Sequence, residues 1–128
     1  MAQVTRRSLL TALGAAALWL GQASRALAQQ RPEGVQRTLT KEFRSMIPGI
    51  AKIVLRETAY QPGAKSSRMM PHSMVCECKA GVLEVTQDSM TTTIDTGGIW
   101  TCHKGMMETV ENKGTAPAIM RVIELVPA

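Results

Sequence analysis

At 128 residues, with 45% hydrophobic but only 3% aromatic side chains, the chain has enough length for one small domain and a modest core. Its formal charge of +5 is inflated by three arginines in the first 28 residues; the rest holds twelve basic against ten acidic residues and no basic run. A nearly balanced, aromatic-poor chain lacks the clustered positive surface that nucleic-acid binding requires.

In chain order, residues 1–28 come first. They read as an export signal: TRRSLLT, an apolar run from Ala12 to Leu20, then Ala26-Leu27-Ala28 as a small-residue cleavage site. Adjacent Arg6 and Arg7 resemble the twin-arginine type. The apolar run is shorter than the roughly 20 residues that span a bilayer, so contact with a membrane is expected only during export. The expected destination is the bacterial periplasm, with cleavage near Ala28.

Residues 29–49 are polar and read as a loose N-terminal arm with one short strand or turn, ending in Met46-Ile47-Pro48-Gly49. From residue 50 to 128 the pattern changes. IAKIVLRETAY, Ile50 to Tyr60, alternates and is rich in β-branched residues, so it predicts a strand. Gln61-Pro62-Gly63 predicts a turn. Further strands are predicted over Ser73–Lys79, Val82–Gln87, Ser89–Ile94, Ile99–Cys102, Thr109–Glu111 and Ala118–Val126, separated by Ala80-Gly81, Asp95 to Gly98 and Asn112-Lys113-Gly114. No helix and no internal repeat is evident. Many short strands punctuated by Gly or Pro predict an all-β sandwich or barrel.

The chemistry concentrates in RMMPHSMVCEC, residues 68–78, with three methionines, one histidine, two cysteines and one glutamate. Alternation puts His72, Met74, Cys76 and Cys78 on one strand face. With Cys102 the chain has three cysteines, and an odd number in an oxidising compartment leaves at least one thiol unpaired, metal-bound or bridged between chains. Thioether and thiolate donors select Cu(I), with zinc possible where thiolates dominate. The candidate ligands are Met70, His72, Met74, Cys76 and Cys102, with His103 further out. The same methionines and cysteines also suit a packed core. Cys76 or Cys78 can alternatively bridge to Cys102, whereas same-face neighbours two apart lie about 6.5–7 Å from each other, at the edge of disulfide reach.

The spacing resembles a small single-domain cupin, a jelly-roll barrel. Gly97-x5-His103-x-Gly105-x2-Glu108-x3-Asn112 keeps the family's second motif, G-x5-P-x-G-x2-H-x3-N. Arg68-x-Met70-x3-Met74-x6-Gly81 keeps the first from its first ligand onward. The resemblance runs from Ile50 to Val126 and implies a cupin-like jelly-roll fold with the Met74 face inward. It also implies that three histidines and a glutamate would stand where this chain has Arg68, Met70, Met74 and Glu108. That set cannot form the usual iron, manganese or nickel site. A shifted frame, Met70-x-His72-x4-Glu77, supplies one histidine and one glutamate for a metal-dependent dioxygenase or isomerase, but it places Glu84 where a closing glycine belongs.

The expectation is an exported cupin-like binding protein that takes a small molecule or a soft metal ion, copper first, in the barrel mouth. Arg68 and Glu108 would face one another across the pocket, holding it closed or gripping an anionic ligand, and Trp100 would wall it. The alternative is the enzyme built on His72 and Glu77. A homodimer is a further expectation, as small cupins often form one.

Overall fold

The computed structural model describes residues 32–128; the export signal read at residues 1–28 lies outside the described residues. Nine strands form two antiparallel sheets: β1 (Val35–Arg44), β2 (Ile50–Tyr60), β3 (Lys65–Met69), β4 (Met74–Ala80), β5 (Leu83–Gln87), β6 (Met90–Ile94), β7 (Ile99–Cys102), β8 (Met107–Glu111) and β9 (Ala118–Pro127). The five-stranded sheet runs β1-β2-β9-β4-β7 and the four-stranded sheet β3-β8-β5-β6. The described residues contain no helix.

β2 and β7 fall on the residues that alternation marks, β5, β6 and β9 differ from the expected spans by one residue at one end, β4 by one residue at each end, and β8 starts two residues before the expected Thr109. Two elements correct the sequence reading. The stretch expected to hold one short strand within a loose arm forms β1, ten residues paired along β2. Its polar character follows from its place: at a sheet edge, eight of its ten residues stay exposed, so no apolar periodicity is needed. β3, KSSRM, was not expected. Its inward positions are Ser66 and Arg68 rather than apolar residues.

The core fills the space between the inner faces. β4 sends Met74, Cys76 and Cys78 inward, and β5 and β8 answer with Leu83, Val85 and Val110. The outward partners on β4, Val75 and Glu77, are half-buried, as the two-residue period of a strand dictates.

Two turn residues hold the sheets together. Gly81 has φ +74°, and a Cβ there would sit 2.8 Å from the Pro117 carbonyl and 2.9 Å from Ala118 Cα, so both conformation and close approach demand glycine. Asn112, fully buried at the end of β8, donates to the carbonyls of Tyr60 and Ala116 and accepts from Gly114 N–H.

Candidate functional site

Strand register builds the site. β4 and β7 pair so that Met74 lies opposite Cys102 and Cys76 opposite Trp100, which sets Cys76 and Cys102 diagonally on the same inner face. Their Sγ atoms are 4.0 Å apart. From the facing sheet, β8 directs Glu108 inward, and donor atoms of Cys76, Cys102 and Glu108 all lie within 4.8 Å of one another, each residue buried.

The Glu108 carboxylate is held by neutral donors. Its Oε2 accepts from the Cys102 thiol at 2.7 Å, Trp100 Nε1 at 3.2 Å and Gln87 Nε2 at 3.2 Å. Gln87 also donates to the Thr101 carbonyl, which ties β5 to β7. Three hydrogen bonds replace much of the solvation that the carboxylate loses on burial. The Cys76 thiol is pushed up by its contact with Cys102 and by burial; it is protonated when nothing else occupies the site. All three cysteines are free thiols. Cys78 lies apart, its Sγ donating to the carbonyls of Ala80 and Gly81.

The expected site residues therefore divide. Cys76, Cys102, Glu108 and Trp100 come together. Met70 and Met74 are buried in the same core cluster as the two cysteines. Arg68 does not face Glu108 across a pocket: the two are opposed on the neighbouring strands β3 and β8, with side chains leaving the same face. β3 is a sheet edge, so the long arginine side chain reaches solvent and is exposed, while Glu108 is buried. Among the described residues no ion pair joins them; the thiol, indole and amide donors hold the carboxylate instead.

His72 departs from the thiol cluster. Its Nδ1 is 2.6 Å from Glu124 Oε1, and the other Glu124 oxygen takes the Arg56 guanidinium. Glu124 is buried on the inner face beside Met74. Burial opposes its ionisation, but the His72 and Arg56 contacts outweigh that and hold its carboxyl below the usual range. Glu77 leaves the opposite face of β4, where Arg121 lies 3.9 Å away. The shifted His72/Glu77 frame therefore does not converge, because side chains of opposite parity leave opposite faces of a strand. His103 is exposed in the β7–β8 turn. With both histidines elsewhere, the residues present do not fit the three-histidine, one-glutamate metal site of metal-binding cupins.

Gln87, Arg56 and Glu124 were not read as site residues. The available signal was polarity at inward positions: Glu124 is the lone acid in the last strand, and Gln87 ends a strand whose inward residues are otherwise Leu83 and Val85.

No family model matches the chain, and no curated protein matches it in sequence. Solved structures do. A Cupin_2 domain of an XRE family transcriptional regulator from Enterobacter cloacae aligns with TM-score 0.62 at 14% identity, covering 75% of this chain and 100% of that one. A Rhizobium leguminosarum protein of unknown function aligns at 0.57 and 21% identity, covering 76% and 86%. KdgF from Halomonas sp. aligns at 0.57 and 12% identity, covering 72% and 79%. At these identities the likeness concerns the fold, which is that of a cupin jelly roll.

Proposed function

We propose that this protein is an exported cupin-fold binding protein that holds one soft metal ion, copper in the Cu(I) state, between its two sheets. Residues 1–28 would direct it through the twin-arginine route to the periplasm. The observation that carries the metal reading is the convergence of two thiols and a carboxylate on one buried point. Two thiolates that share one tetrahedral ion at bonds of about 2.3 Å stand about 3.8 Å apart, and a linear arrangement would widen that to about 4.6 Å. The 4.0 Å separation of Cys76 and Cys102 lies between these values. The proton that Cys102 donates to Glu108 marks the position that a cation would take.

Cys76 and Cys102 would be the primary ligands, with Glu108 oxygen and one of the Met70 and Met74 thioethers completing a tetrahedral set. Thiolate is the form that binds metal, so loading expels the thiol protons. Trp100 and Gln87 orient the carboxylate. The second reading, a small anionic ligand, has one observation in its favour: Arg68 is exposed and opposed to Glu108 on the inward face of its sheet, suited to a bidentate grip on a carboxylate or phosphate.

Elemental analysis of residues 29–128 recovered from the periplasm of copper-replete bacteria tests the proposal. Wild type should carry about one copper per chain and the Cys76→Ser/Cys102→Ser variant none. A metal-free wild type would remove the soft-metal reading and leave Arg68 as the place to look for a ligand.

A further inference from the structure

Five of the nine methionines lie on two adjacent segments, 69–74 and 106–107. Met69 and Met107 are directly opposed on the antiparallel strands β3 and β8. Alternation puts them on the outer face, since Arg68 and Glu108 point inward. Both are exposed, at 62% and 48%. Side chains opposed in this way have Cβ atoms about 4.5–5.5 Å apart, which lets two flexible thioethers meet around one small ion.

Behind this pair the soft donors continue inward. The backbones of the two segments are laced together: Met70 N–H donates to Met106 O, and Gly105 N–H to Met70 O, each at 2.8 Å. Met106 is half-buried against the core, and Met70 and Met74 are inside it with Cys76 and Cys102. Thioether sulfur thus runs from half-buried Met106 into the core cluster that holds the thiol pair, and Met69 and Met107 adjoin Met70 and Met106 in the chain. Single exposed apolar side chains are ordinary, but an opposed thioether pair whose chain neighbours Met70 and Met106 turn inward to the cluster of the thiols is a graded set of soft donors.

We propose that Met69 and Met107 form a second, surface site for a monovalent soft cation of the Cu(I) class, from which the ion passes by way of Met106, Met70 and Met74 to Cys76 and Cys102. This rests on the soft-metal reading of the interior. Two neutral thioethers hold a cation less tightly than two thiolates, so the gradient runs inward. The transfer is a ligand exchange without change of oxidation state: metal–thioether bonds break, metal–thiolate bonds form, and the displaced thiol protons go to solvent.

Silver(I), which needs no reductant, is the probe. It is used by equilibrium dialysis in chloride-free buffer on the protein from residue 29 to 128. Wild type should bind two ions per chain, Met69→Leu/Met107→Leu one, and Cys76→Ser/Cys102→Ser one, with all four changes leaving none. Leucine keeps the volume and removes only the sulfur. The leucine variant should also load its interior site about tenfold more slowly, with the final interior capacity unchanged. Two ions bound by the leucine variant, or loading at the wild-type rate, overturns the surface site. Undiminished binding by the serine variant overturns the interior site instead, so the two failures are distinct. A wild type that binds no silver overturns both.

Discussion

Asn112 has no solvent exposure and uses its side-chain amide three times: to the carbonyls ending β2 and preceding β9, and from the Gly114 amide. Replacing it by alanine leaves two carbonyls and one N–H to find water in a closed turn. At roughly 1 kcal/mol for each lost bond, Asn112→Ala should cost about 3 kcal/mol, measured as a drop in the urea midpoint with the slope unchanged. That is a large part of the stability of a domain this size. From the sequence the residue reads as one member of an Asn-Lys-Gly turn, and its spacing from Gly105 and Glu108 carries the family resemblance. The spacing was legible. What the asparagine does was not, because Tyr60 is 52 residues away in the chain. The same division holds for the thiols. Alternation correctly places Met74, Cys76 and Cys78 on one face, but it cannot say which of them Cys102 meets. The β4–β7 register decides that, selecting Cys76 and leaving Cys78 to bond to the Ala80 and Gly81 carbonyls.

At the scale of the elements, β2, β9 and the segment leading into β4 meet at the Glu124 carboxylate, which takes Arg56 from one side and His72 from the other. These contacts clasp the inner face of the five-stranded sheet where Met74 and Val54 flank Glu124 in register. The Glu124 carboxyl is held below its ordinary value. Its contribution to stability is therefore complete above the unfolded-state pKa of about 4.3 and is lost as pH falls through the lower folded value. In metal-free protein, Glu124→Gln should destabilise by about 2 kcal/mol at pH 7, less than the full cost of stripping a buried pair because Arg56 can reach water. The gap between variant and wild type should close as the pH falls below about 4. Urea titrations of both proteins across pH 3–7 measure it; a gap that stayed constant would show that the carboxylate charge contributes nothing. β4 and β9 were readable because their inward positions are mostly apolar, and β2 because β-branched and apolar residues fill its outward positions Ile53, Leu55 and Ala59 while Arg56 and Thr58 face inward. β1 and β3 were not, because an edge strand with polar residues on its inward positions has no amphipathic period to detect.

For the molecule as a whole, the outer face of the five-stranded sheet explains why β9 reads AIMRVIELVP, apolar at positions of both parities. Its outward residues Ile119, Ile123 and Leu125 lie in register with Ile53, Leu55 and Ala59 of β2, and Val75 of β4 joins Ile123. Phe43 on β1 and Ile99 on β7 extend the patch to both sheet edges, 50% and 63% exposed. Strands apolar on both faces belong to sheets covered on both sides. We propose that the covering partner is a second copy of the chain, because the charges within the patch complement themselves. Glu57 binds Lys79 and Arg121, and Glu77 lies beside Arg121. Two acids and two bases in one row can meet their own image across a two-fold axis, as an isologous interface requires. Sedimentation equilibrium of residues 29–128 should give twice the chain mass. Ile99→Glu, at a position already exposed in the single chain, should shift it to the monomer without lowering the stability of the monomer itself, because a carboxylate pressed against the apolar face of the second copy loses its water at a cost of several kcal/mol. A wild type that sediments as a monomer at all concentrations rejects this arrangement and leaves the apolar face to a different partner.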